Sequence, residues 1–250
     1  MKHLTTITAH TGCDGTPDDS LESVRTAIAL GADIAELDVR FDKQGGLVIS
    51  HDRREDYTGR FPLRKAMEMI RESPATALNC DIKEAETIPA VLALADEAGL
   101  GNDKLAFSGS LSPALLRKNP EITKRSAVYL NVEEILRELY LDTLTSAERE
   151  ALAENPSWNV VRERMTDISG YAARIASLCW ELGVRALNFP LFLCREPIFA
   201  ALRELNVPFA IWTVNEPQEI QWLLGEKVCN ITTRRAKTAL ALREEMFKGK

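Results

Sequence analysis

Glu36 and Asp38 stand two residues apart in the apolar run Ile34 to Phe41, IAELDVRF, and the chain then turns back through LVIS to His51 and Asp52. Side chains at i and i+2 of a strand face the same way, so the two carboxylates converge on one point. Like charges aimed together are costly unless something positive lies between them, and a hard divalent cation with oxygen ligands is the usual answer. Barrel arginines could also balance them. Two carboxylates on the inner face of an apolar strand favour the metal. Asp81 and Lys83, in LNCDIK, repeat the spacing and put a further carboxylate and a cation on one face.

Other reactive side chains also fall at the ends of apolar runs: His10 after ITA, His51 after LVIS, Trp212 and Asn215 within AIWTVN. Histidine moves protons near neutrality because its ordinary pKa is about 6.5. Each residue has a plainer reading. A histidine after a strand can be a loop residue, Asp52 a turn cap, and Trp212 a core side chain. Their recurrence at equivalent places is what marks them as one site. His3 lacks such context and reads as a terminal surface residue.

The elements that must position these groups alternate along the chain. Short apolar runs (Leu4–Ala9, Ile34–Phe41, 75–82, 104–108, 126–130, 185–189, 208–214, 228–232) are separated by amphipathic stretches with helix signals. Gly31, Gly99 and Gly183 stand as helix stops, and Pro113 opens a helix where proline is tolerated. Leu47–Ser50 is an extra strand after the Lys43–Gly46 turn. About eight strand–helix units without a shift in composition predict an α/β fold, a single (β/α)8 TIM barrel over residues 1–250. A doubly wound open sheet is the alternative, but GCDG (Gly12–Gly15) is not its Gly-rich phosphate motif. In a barrel the strand ends named above form the catalytic face. The rhythm breaks once, at 131–167, a charged helical insertion after the fifth barrel strand. It reads as a lid, a dimer contact that would make a homo-oligomer, or a solvated elaboration.

Composition narrows the function classes. A formal net charge of −6 argues against a general nucleic-acid binder, yet allows one anionic small molecule drawn to a locally positive cleft. Five scattered cysteines, with no Cys-x-x-Cys pair, read as reduced thiols of a cytoplasmic protein. No apolar run is long enough for a membrane span, and the first residues lack a secretory core.

Taken together, HTG, PDDSLES, GADIAELDVRFDKQGGLVISHD, CDIK and AIWTVN resemble, in order, the glycerophosphodiester phosphodiesterase family, whose pattern is His-Arg-Gly, Pro-Glu-Asn-Thr, Glu-Leu-Asp-Val, His-Asp, Glu-Ile-Lys and Trp-Thr-Val-Asn. The resemblance spans most of the chain outside 131–167. It implies a (β/α)8 barrel cleaving a phosphodiester substrate with Mg2+ or Ca2+. Glu36, Asp38 and Asp81 would be metal ligands, His10 and His51 general acid and base, and Lys83, Trp212 and Thr11 would line the phosphate and substrate pocket. The chain departs from the pattern at Thr11, where the family has a phosphate-contacting arginine. It departs again at Pro17-Asp18-Asp19-Ser20, at Asp81 in place of glutamate, and at Thr232-Thr233 in place of Thr-Asp. These departures leave three readings: hydrolysis of a glycerophosphodiester, a changed substrate or a cyclic phosphate product, and a non-catalytic metal- or phosphate-binding homologue.

Overall fold

The computed structural model describes residues 5–150, 158–164 and 166–248. Its strands are β1 (Thr6–Ala9), β2 (Ile34–Phe41), β3 (Leu47–Ile49), β4 (Ala77–Ile82), β5 (Leu105–Gly109), β6 (Ala127–Asn131), β7 (Ala186–Pro190), β8 (Phe209–Trp212) and β9 (Asn230–Thr233). All but β3 pair in parallel, in the order β1-β9-β8-β7-β6-β5-β4-β2, and β1 pairs with β2 to close the ring. This is an eight-stranded barrel surrounded by helices, as the alternation predicts. β3 lies outside it as the antiparallel return of a hairpin on β2, with Val39 opposite Ile49.

Two apolar layers hold the barrel. Alternate residues of β2 (Ala35, Leu37 and Val39) point outward and are buried beneath the helices, as are Leu78, Cys80 and Ile82 of β4. Burying one such large aliphatic side chain contributes about 1.5–3 kcal/mol. On the far side of the ring Phe189, Phe199 and Phe209 pack together, Phe189 and Phe209 edge to face and the other two pairs tilted, with centroids 4.6–5.5 Å apart, and lock the helix Pro197–Glu204 over β7 and β8. Inside the barrel a small cluster of Ile34, Ala106, Tyr129, Ala186 and Ala210 forms the floor. Each is the lower member of an inward i, i+2 pair whose upper member is polar or indole-bearing: Glu36, Ser108, Asn131, Asn188 and Trp212. The apolar floor thus stops one layer below the C-terminal ends.

Local signals place the helices. Ser20 caps Leu21–Leu30 by accepting the Ser23 N–H at 3.2 Å, a contact of about 1 kcal/mol. Helix Ile88–Ala98 ends at Gly99, the stop that the sequence predicts, and Leu63–Glu72 precedes β4. After β6 come the helices Val132–Leu141, Ser146–Glu150 and Trp158–Arg164. Part of the predicted insertion, residues 151–157 and 165, lies outside the described residues, as does His3. No helix among the described residues is long and apolar enough to cross a membrane.

Candidate active site

Register decides which of the chemical side chains meet. Glu36 and Asp38 both point into the barrel from β2, and the parallel pairing sets Asp38 opposite Asp81 of β4. Ligand oxygens of Glu36, Asp38 and Asp81 lie within 4.8 Å of one another. Lys83, just past the end of β4, turns its ammonium back onto this group. Its Nζ is 2.6 Å from Asp38 Oδ1 and 2.5 Å from Asp81 Oδ2. The cation beside the pair is therefore a lysine, not a barrel arginine. A short relay steadies Asp81: Asn79 donates to Ser108 Oγ at 2.9 Å, and Ser108 donates to Asp81 Oδ1 at 2.7 Å.

The histidines flank this cluster. His10 leaves β1 with its N–H donated to the Thr233 carbonyl at 2.9 Å. Its Nδ1 lies 2.8 Å from the Thr11 carbonyl and 3.8 Å from Glu36 Oε2. A carbonyl only accepts, so Nδ1 carries the proton and Nε2 of the neutral ring is left with its lone pair. His51 is more open, its side chain 65 % exposed, and its Nδ1 is 2.8 Å from Asp52 Oδ1. The Asp52 carboxylate accepts there and likewise leaves Nε2 as the working nitrogen. That hydrogen bond with His51 lowers the Asp52 carboxyl below its ordinary range. Asp52 thus orients a histidine as well as standing in a turn.

Burial sets the electrostatics. It pushes the Glu36 carboxyl up to about 7; nearby His10 opposes this, and the negative neighbours Asp38 and Asp81 add to it. Asp38 is raised by its burial, against the pull of Lys83. Burial alone would lower the Lys83 ammonium, but the Asp81 and Asp38 carboxylates outweigh it and hold it above its ordinary value. Asp38 Oδ2 is buried with no hydrogen-bond partner. An unpartnered oxygen in a knot of three carboxylates fits a hard divalent cation, whose ligands are oxygens.

Above the cluster opens a cavity of about 770 Å³, lined by the eight residues given metal, catalytic or substrate roles in the sequence, His10, Thr11, Glu36, Asp38, His51, Asp81, Lys83 and Trp212, and by Asp52 and Asn215. Thr11 is buried; its N–H donates to Glu36 Oε2 at 3.0 Å and its hydroxyl accepts the Asp19 N–H at 2.8 Å. The Trp212 Nε1–H is buried without a partner. Asn215 faces the cavity and also clasps a loop, accepting the Arg234 N–H at 2.9 Å.

Residues 10–73, the stretch from His10 through the carboxylate pair to beyond His51, match the model of the glycerophosphoryl diester phosphodiesterase family. The match covers about a quarter of the chain. Among solved structures, a glycerophosphodiester phosphodiesterase from Parabacteroides distasonis is 15 % identical with a TM-score of 0.68, covering 98 % of this chain and 99 % of its own. One from Thermotoga maritima is 20 % identical with a TM-score of 0.65, covering 97 % and 100 %. A phosphodiesterase from Oleispira antarctica, solved with the product sn-glycerol-3-phosphate, is 17 % identical with a TM-score of 0.64, covering 96 % of each chain. At such identities they show a shared fold. No curated protein matches the sequence.

Against the phosphodiesterase pattern, the sequence reading passed over two residues. Asp19 is buried with a backbone φ of 53°; its Oδ2 accepts the His51 N–H at 2.9 Å and its Oδ1 has no partner. Arg234 reaches the cavity from the end of β9. An aspartate in a loop and one arginine of a consecutive pair carry no periodic signal, so only the fold brings them in.

Gly109 shows how tightly the carboxylate layer is built. A Cβ there would lie 2.3 Å from the Ile82 carbonyl oxygen and 3.0 Å from Asp81 Oδ1, at a φ of +91° that side chains rarely adopt. Gly109→Ala is expected to cost on the order of 2 kcal/mol or more and to weaken Mg2+ binding by displacing Asp81. Denaturant midpoints and Mg2+ titrations check both effects.

Proposed function

We propose that this protein is a metal-dependent phosphodiesterase that cleaves a glycerophosphodiester to an alcohol and glycerol 3-phosphate, with Mg2+ or Ca2+ held by Glu36, Asp38 and Asp81. The observation that carries the reading is the convergence of this trio and two Nε2-presenting histidines on one cavity, all but Asp81 within the segment that matches the family. The bound cation supplies neutralisation of charge on the non-bridging phosphate oxygens.

The chain's own residues do the rest. His10 and His51 move protons to and from the attacking and leaving oxygens through Nε2, as an acid and base pair. Asp52 keeps the His51 ring oriented and steadies its protonated form. Lys83, held at the carboxylate layer beside Asp38 and Asp81, contacts the phosphate with its ammonium. The orphan Trp212 Nε1–H donates to a substrate oxygen, and the Thr11 hydroxyl keeps its hydrogen for the anion. Glu134, on the first helix of the 131–167 segment, also lines the cavity, which favours the lid reading of that segment over a dimer contact. The five cysteines are all free, as suits the cytoplasm.

Phosphorus NMR of glycerophosphoethanolamine incubated with enzyme and Mg2+ tests the reading. Glycerol 3-phosphate and free ethanolamine are expected, with none in EDTA. A lasting cyclic phosphate would make the protein a lyase instead. Absence of metal-dependent turnover of any diester would overturn the enzyme reading in favour of a binding homologue.

A further inference from the structure

The anion half of the site lacks the arginine expected after His10, because residue 11 is a buried threonine. A phosphate dianion needs a directional cation there, and a guanidinium fork is suited to it in a way a hydroxyl is not. The fold brings one to the same spot from the opposite end of the chain. Arg234 follows β9, its backbone N–H clasped by Asn215 Oδ1 at 2.9 Å. Its side chain crosses the mouth of the barrel to lie over Gly12, next to Thr11. A Cβ on Gly12 would sit only 2.8 Å from Arg234 Nη1. Gly12, at φ +74°, is what leaves room for the guanidinium.

One donor of that guanidinium is engaged: Arg234 Nη1 contacts Asp18 Oδ1 at 2.6 Å. The pair is open to solvent, with side chains 41 % and 56 % exposed, and both residues line the cavity. An exposed ion pair is worth little and opens readily, and an arginine has five donors. Asp18 thus engages one of the five donors of a side chain that lines the cavity.

Resting on the phosphodiesterase reading above, we propose that Arg234 binds the phosphate or glycerol phosphate moiety in place of the arginine that position 11 lacks. Asp18 acts on it as a competing anion that tempers its affinity. The sequence order is inverted, with the cation supplied by the last barrel strand instead of the first, but the location beside His10 is kept.

The test uses the full chain with Mg2+, following turnover of glycerophosphoethanolamine and calorimetric binding of sn-glycerol 3-phosphate. Arg234→Ala is expected to weaken glycerol 3-phosphate binding and raise KM about ten-fold or more, with kcat much less affected and the Mg2+ isotherm unchanged. Arg234→Lys should recover part of the loss, and Asp18→Asn should tighten anion binding several-fold. Thr11→Arg placed on Arg234→Ala should restore binding. A merely structural ion pair would behave differently: Asp18→Asn and Arg234→Ala would then weaken binding alike, in step with melting temperature, and the inference would fall. It also falls if Arg234→Ala binds and turns over like wild type, an outcome that leaves the phosphodiesterase reading standing. Wild type that neither binds glycerol 3-phosphate nor cleaves a diester overturns both.

Discussion

Replacing His51 with alanine is expected to lower turnover of a glycerophosphodiester by a factor on the order of 10²–10⁴, the usual contribution of a positioned acid or base. His51 is exposed and its ring meets only Asp52, so folding should be nearly untouched, within about 0.5 kcal/mol. Its distance from the carboxylate trio should leave Mg2+ affinity as in the wild type. His10→Ala is expected to cause a similar loss of kcat but with a second effect. The His10 ring is 3.8 Å from Glu36 Oε2 and opposes the upward push on that carboxyl. Losing it should make Glu36 harder to ionise and Mg2+ binding weaker near neutrality. Steady-state kinetics beside Mg2+ titrations separate the two variants. Equal kcat for wild type and either variant would remove that histidine from the acid and base pair.

The second large effect belongs to the carboxylates. Asp38→Asn is expected to reduce Mg2+ affinity by at least the 10–100-fold typical of disturbing a metal site, and activity with it. The metal-free variant should melt near the wild type, since the buried charge that is lost was resisted by burial while Lys83 loses one carboxylate and keeps Asp81 as its partner. The rise in melting temperature on adding Mg2+ should disappear.

The same electrostatics set a pH dependence. The folded Glu36 carboxyl titrates near 7, above its ordinary value of 4.5. Between those values the folded chain keeps a proton that the unfolded chain releases. Stability of the metal-free protein from this group therefore falls as pH rises from about 4.5 to about 7 and is level on either side. Mg2+ requires the ionised form, so its affinity should climb over the same window and level off above about 7. Melting curves with and without Mg2+ at several pH values check both trends. An affinity independent of pH across that window would mean that Glu36 is not a ligand.

Much of this molecule is legible in its sequence. Strand periodicity alone turns Glu36 and Asp38 to one face, and β2 runs over Ile34–Phe41 as its pattern reads. Helix stops and proline starts bound most of the other elements to within a residue or two, because caps are local chemistry. The barrel follows from counting strand–helix units. Its strand ends assign His10 and Asp81 to one face, since a parallel ring can put them nowhere else, and His51 comes back toward it on the antiparallel return of the β2–β3 hairpin.

What the tertiary structure alone decided concerns partners distant in sequence. The i, i+2 rule says that Asp81 and Lys83 share a face, but the register of β2 on β4 is what lays Lys83 between Asp38 and Asp81. Asp52 is a turn residue in sequence and an orienting partner for His51 in space. Asp19 enters because Thr11 and His51, from two other segments, converge on it. Arg234 enters because closing the ring brings the first and last strands together, β9 beside β1. Periodicity reports which way a side chain points along its own strand. It carries no record of which strand end comes to lie alongside, and in a barrel that neighbour is fixed only when the ring closes. The carboxylate half of the site is local enough to read from a few residues of β2 and β4. The anion half is assembled across the seam between the first strand and the last, so it becomes visible only in the folded chain.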